Sequence, residues 1–211
     1  MPLPIELLII VTEPEAARAF SQRFESLPNV TVNELWLEEV NRFDCFVTAA
    51  NSYGIMNAGI DAAVVKLFGE QVMTAAQDRI REDYLGEQPI GTSFLIPTGD
   101  PTRRFIAHTP TMRTPRSIDG TDKVYNAALA AFRTIYRHNI ATPIDSEDRI
   151  HSVVMCAMGC GFGAMSFSES ARQMAVAYDH YLNPPHRLDN WDVVIARHRA
   201  ITYDGDRRVV Q

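Results

Sequence analysis

The stretch Val47-Thr48-Ala49-Ala50-Asn51-Ser52-Tyr53-Gly54-Ile55-Met56-Asn57-Ala58-Gly59-Ile60-Asp61 decides the fold. It continues an apolar run through Phe43, Cys45 and Phe46 that reads as a buried strand stopping at an Asn. A loop of small residues follows, and Asp61 then opens a helix predicted over 61–68. Strand, Gly-containing loop and helix start together make a geometry in which backbone N–H groups bind phosphate. Asn51 and Asp61 are polar side chains that a simple packing element would not need.

Working outward, residues 5–11 read as a first buried strand. Thr12, Pro14 and Glu15 form a predicted capping box for a helix running to about Leu27. Residues 30–36 read as a second strand and 43–49 as the third. A further helix is expected over 71–84, and strands over 91–97 and 104–109. Residues 109–121, with Pro110, Pro115 and Gly120, read as a long loop of the kind that often carries binding residues. A helix is predicted over 122–138 and a strong strand over 149–155. Ser166 with Glu169 reads as a second capping box, opening a helix to about Leu182. Beyond Asn183 the pattern weakens, with 191–195 expected to pack back as a short helix or strand.

Strands alternating with helices predict a three-layer α/β domain. The expectation is one domain over 1–211, with a core at about 5–182 and an extension at 183–211. Ligands in such sheets bind outside the C-terminal ends of strands. The loops after Ala49 and after Met155 both lie there.

Composition narrows the function. At 46% hydrophobic and 22% charged, the chain is ordinary for a globular protein. A net charge of −6 leaves no electrostatic footprint for nucleic acid, and the small Arg207-Arg208 cluster does not change that. Three cysteines, Cys45, Cys156 and Cys160, read as buried thiols in a reducing compartment rather than a disulfide scaffold or a zinc site. The apolar run 7–11 is too short to span a bilayer, and no signal peptide is evident, so the default expectation is cytoplasmic with no membrane partner.

A second loop, Gly159-Cys160-Gly161-Phe162-Gly163-Ala164, has glycines at alternate positions that let backbone approach a ligand closely. It is too late in the chain and wrongly spaced for a Rossmann fingerprint, and no Gly-Lys-Ser/Thr follows to make a P-loop.

Taken together, the two loops resemble the macrodomain family, in a divergent subgroup. Val47-Thr48-Ala49-Ala50-Asn51 and Gly59-Ile60-Asp61 match its Asn-rich strand end and helix start, with the same step from Asn51 to Asp61. Gly86-Glu87, Gly91 and Pro97 resemble its Gly-Glu-Ala segment and following strand. Phe105-Ile106-Ala107-His108-Thr109 resembles its His-Thr strand, and Pro110-Thr111-Met112-Arg113 a subgroup loop. The resemblance covers about Trp36 to Tyr181. Thr48 stands where the family has its first Asn, and Asn57-Ala58-Gly59 stands where it has a Gly triplet.

The resemblance implies a three-layer α/β/α fold with a central mixed sheet and a cleft for ADP-ribose or an ADP-ribosylated protein; no metal-ligand set is visible in the sequence, so the expectation is metal-independent chemistry with no cofactor. It implies that N–H groups of Gly161, Phe162 and Gly163 hold the pyrophosphate, within a loop of Gly159, Cys160, Gly161, Phe162, Gly163 and Ala164. Ala50, Asn51, Ser52, Gly59 and Ile60 would form the ribose-side wall. Asn51 would bond the distal ribose, and Asp61 would activate water for hydrolysis of an ADP-ribosyl bond, which has oxocarbenium-like character. Glu38 is the acid available for the adenine amino group. The alternatives are a non-catalytic ADP-ribose reader and a drifted macrodomain whose cleft takes another phosphorylated ligand or a protein partner. Read from the residues alone, Asp61 also fits a helix first-turn acid, and Phe162 a packing residue. His108 reads as an interior histidine before a base, and Arg113 as either a cleft-closing or a solvated loop residue.

Overall fold

The structure, a computed structural model, describes residues 4–188, 190–204 and 207–210. The parts of the expected domain at residues 1–3, 189, 205–206 and 211 lie outside the described residues.

The chain runs β1 (Glu6–Val11), α1 (Pro14–Phe24), β2 (Val30–Glu34), β3 (Phe43–Asn51), α2 (Gly59–Phe68), α3 (Gln71–Tyr84), β4 (Phe94–Pro97), β5 (Arg103–Met112), α4 (Lys123–Ala141), β6 (Ser152–Cys156), α5 (Phe167–Leu182), α6 (Trp191–Thr202), β7 (Tyr203–Asp204) and β8 (Arg207–Arg208). A 3-10 turn at Leu37–Glu39 links β2 to β3. The central sheet has the order β2-β1-β6-β3-β5-β4, parallel except for β4, which runs antiparallel to β5. The expected three-layer α/β/α fold with a mixed sheet is the one observed.

Side-chain alternation sets the layers. Ile9, Cys45, Val47, Ala107, Val153 and Met155 pack on one face with residues of α1, α4 and α5. Ile10, Phe46, Ile106 and Val154 pack on the other with residues of α2 and α3. Burial on both faces is why the central strands read as near-continuous apolar runs.

Local chemistry moves two of the expected boundaries and keeps a third. The N-cap of α1 is Glu13, in extended conformation and with no side-chain cap bond, so the Thr12/Glu15 capping box does not form. Pro14 explains this: it pre-sets the first helical φ and pushes the preceding residue out of the α region. The second cap holds, with Ser166 accepting from the Glu169 N–H at 3.3 Å. The Glu169 carboxylate turns to Arg172 instead. Finally, the expected loop from Thr109 begins later, because β5 continues to Met112. Pro110 is tolerated there because β4 stops opposite His108, leaving that side of β5 without a ladder.

Beyond α5, α6 buries none of its side chains, and β7 and β8 pair antiparallel. Val210 then bridges to Thr121.

Candidate functional site

The C-terminal ends of β1, β3 and β6 open into a cleft of about 420 Å³, a size suited to a small ligand. Residues from the first turns of α1, α2 and α5 line it, so three positive helix ends converge there. Its charged lining residues are Glu13, Glu38 and Asp61, with no Lys or Arg among the described lining residues. An anion entering it meets backbone N–H groups and neutral donors such as Thr12, Asn51 and Asn57 rather than a basic side chain.

Such backbone groups are present. The N–H groups of Gly161, Phe162 and Gly163 have no acceptor among the described residues. Their loop is folded tightly: Ala164 N–H donates to Gly161 O at 2.9 Å and Met165 N–H to Gly159 O at 3.1 Å. Gly159 has φ +77, and a Cβ there would lie 2.7 Å from Val124 Cγ2. A Cβ on Gly163 would strike Gly159 O, whereas one on Gly161 meets nothing within 4 Å. Two of these glycines are needed to close the loop, and Gly161 faces open space.

Ala50, Asn51, Gly59, Ile60, Asp61, Gly159, Cys160, Gly161, Phe162 and Gly163 line the cleft together. Ser52 lies outside it, fully buried, with its Oγ donating to Met112 O at 3.4 Å. Ser52 follows the last residue of β3, and its N–H also donates to Met112 O at 3.0 Å, so it turns toward β5 rather than into the cleft. Ala164 also lies outside the lining and takes a left-handed turn with φ 52.

Asn51 is committed to its own loop. Its Oδ1 accepts from the N–H groups of Tyr53 at 3.1 Å and Ile55 at 3.3 Å, and its Nδ2 donates to Ile55 O at 2.8 Å. One amide hydrogen remains for a ligand. Asp61 is 5% exposed, and its Oδ1 accepts from Thr48 Oγ1. Burial pushes its carboxyl up to about 6 against the lowering effect of the Thr48 hydroxyl. Cys156 and Cys160 line the same cleft, but burial raises their thiols to about 12 and about 11, so neither is a ready thiolate.

Phe162 stands at the mouth, 61% exposed, so it is not a packing residue; Met165 is buried in the core. The cleft is open. His108 is interior: Nδ1 meets Gln88 Oε1 at 2.7 Å, the ring stacks on Phe94, and burial lowers it to about 3. Arg113 pairs with Glu87 at 2.6 Å, and the Tyr53 hydroxyl donates to the same carboxylate at 3.1 Å. That cluster ties the loops after β3, α3 and β5 together. Glu38 lines the cleft beside Trp36 and lies 3.7 Å from Lys66.

One wall was not foreseen. β1 pairs with β6, which brings Thr12, Glu13 and Ala16 to the cleft beside the glycine loop. The local signal was a buried strand running directly into a Pro-started helix, and only the sheet order gives it meaning.

Fold and site thus define an α/β domain whose ligand cleft presents free backbone N–H groups at parallel strand ends. The Macro domain family model matches residues 47–174, and the chain belongs to that family. An uncharacterized protein of Aeropyrum pernix is 31% identical over 136 residues, covering 64% of each chain. The chain thus spans 64% of that relative's length. An uncharacterized protein of Aquifex aeolicus is 26% identical over 131 residues, covering 62% of this chain and 70% of its own. Among solved structures, the macrodomain of Mycobacterium tuberculosis DarG shares the fold with a TM-score of 0.58 at 21% identity, over 71% of this chain and 90% of its own. An Oceanobacillus iheyensis macrodomain mutant with ADPR gives 0.57 at 14% identity, over 87% and 83%.

Proposed function

We propose that the cleft binds ADP-ribose and that the protein removes ADP-ribose from modified proteins or related derivatives. The carrying observation is the set of free N–H groups at Gly161, Phe162 and Gly163 in a cleft lined by no basic side chain. That arrangement suits a diphosphate held by main chain, and the Oceanobacillus neighbour is a complex with ADPR. In this reading the remaining Asn51 amide hydrogen goes to the distal ribose, and Trp36 with Glu38 faces the base.

For hydrolysis, Asp61 accepts a proton from a water as its oxygen bonds to the ribosyl anomeric carbon. The bond from that carbon to the modified side chain breaks, and the departing group takes the water's proton from Asp61, which returns to its anion. A carboxyl poised near 6 is anionic enough at neutral pH to serve as base, yet more basic than an ordinary aspartate. Calorimetry with ADP-ribose tests binding, and no heat at millimolar ligand would sink it. Turnover is tested by release of ADP-ribose from a modified protein by wild type and Asp61→Ala.

A second reading is a non-catalytic reader of ADP-ribose. The burial of Asp61 and its engagement by Thr48 favour it, since little of the carboxylate faces the cleft. Binding without turnover across a panel of linkages would select it.

A further inference from the structure

The chain beyond α5 does not end as a loose extension. Arg172, buried and paired with Glu169, donates from Nη1 to Ala200 O at 2.8 Å and from Nη2 to Ile201 O at 2.9 Å. These bonds anchor the end of α6 on α5. Val209 is buried, and its N–H donates to Thr202 O at 3.1 Å. Val210 then joins the segment before α4: its N–H donates to Gly120 O at 2.7 Å, and its carbonyl accepts from Asp122 N–H at 3.0 Å. Gln173 holds the same segment from α5, with Nε2 donating to Thr121 O at 2.7 Å.

That segment touches the glycine loop. Thr121 Oγ1 donates to Ile118 O at 2.6 Å. Ile118 is buried, and its N–H donates to Gly163 O at 2.8 Å. Its side chain closes on Gly159, where an added Cβ would lie 3.1 Å from Ile118 Cδ1. A continuous path of hydrogen bonds and packing thus runs from Val210 through Gly120 and Ile118 to Gly159 and Gly163.

We infer that the C-terminal segment positions the anion-binding loop: Val210, acting through Ile118, holds Gly159 and Gly163 so that the free N–H groups between them converge on the cleft. Ile118 and Val210 are positioning residues, remote from the ligand. The role in ligand binding rests on the reading of the cleft as a diphosphate site; the mechanical coupling does not. A loop that must present several N–H groups to one ligand is sensitive to small displacements, so an exposed residue at the chain's far end acquires a binding phenotype.

The test uses the full chain. Val210→Pro deletes the N–H that meets Gly120, and Val210→Ala retains it; the side chain is 69% exposed, so neither disturbs the core. Amide hydrogen exchange without ligand is followed with ADP calorimetry. Val210→Pro should speed exchange within 157–166 and weaken ADP binding about three- to tenfold, the loss of one hydrogen bond. Exchange in β1 and β3 should hold, and Val210→Ala should match wild type. Gly120→Ala is the second variant. Gly120 has φ +75 with open space around it, so a Cβ there strains the turn without a clash, and it should give the same local pattern. Wild-type exchange at 157–166 in both variants overturns the inference, as does exchange raised equally throughout the chain. If wild type fails to bind ADP while Val210→Pro still loosens 157–166, the diphosphate reading falls and the positioning stands.

Discussion

Thr48 Oγ1 donates a hydrogen bond to Asp61 Oδ1 beneath the cleft lining, joining β3 to the first turn of α2. By the resemblance read from the sequence, Thr48 stands in place of the family's first Asn, and it is the residue touching the proposed base. Burial raises the Asp61 carboxyl, and the hydroxyl opposes that rise. The rate of ADP-ribose release should climb with pH through about 6 as Asp61 becomes anionic. Thr48→Val removes the lowering contact, so its acidic limb should move to higher pH by roughly one unit. A limb unmoved in Thr48→Val would remove this contact from the control of Asp61.

The same shift has a stability signature. An aspartate near 3.8 in the unfolded chain and about 6 in the fold keeps a proton that the unfolded chain has lost. Stability therefore falls as pH rises between those values and stays lower above them. Asp61→Asn does not titrate and keeps an oxygen for Thr48. Its melting temperature relative to wild type should be higher at pH 8 than at pH 4. An equal difference at both pH values would mean that Asp61 is not the buried titrating group.

The glycine loop separates fold from binding. Gly163→Ala drives a Cβ into Gly159 O and should cost about 2 kcal/mol of stability along with ligand affinity. Gly161→Ala meets nothing within 4 Å of its Cβ, so its melting temperature should stay at the wild-type value. Equal melting temperatures for the two variants would contradict the loop geometry.

Asn51 has two jobs that one pair of variants divides. Asn51→Ala loses three loop hydrogen bonds and should cost about 1–3 kcal/mol. Asn51→Asp keeps the acceptor for the Tyr53 and Ile55 N–H groups but has no hydrogen for a ribose. It should retain more of the loop's order while binding ADP-ribose several-fold more weakly. Wild-type affinity in Asn51→Asp would free the ribose from this residue.

The legible parts of the molecule were those set by local chemistry. The run from Phe43 to Asn51 and the helix carrying Asp61 announce themselves by apolar pattern and a terminal Asn, and the glycines at 159 and 163 by the loop they must close. What stayed hidden depended on distant partners. Glu13 reaches the cleft because Leu7 pairs with Val153, a register no local pattern encodes. Ser52 turned inward because it follows β3 in a turn held by Met112 O, a partner 60 residues along the chain. Val209 and Val210 looked like the end of a weak tail because their hydrogen bonds go to Thr202 and to the segment before α4.

Trp36 offers the sharpest test of where the base lies. It lines the cleft beside Glu38, yet it is 65% exposed, so its ring contributes little to the core. An exposed indole lining the cleft is a stacking surface, and base stacking on an aromatic is worth about 1–3 kcal/mol. Trp36→Ala should therefore weaken ADP-ribose binding roughly tenfold or more with an unchanged melting temperature. The chain has one other tryptophan, Trp191, on α6 and outside the cleft lining, so intrinsic fluorescence can assign the contact. ADP-ribose should quench emission in wild type and in Trp191→Phe but not in Trp36→Phe. Quenching that survives in Trp36→Phe would move the base away from this wall and leave Glu38 to its ion pair with Lys66.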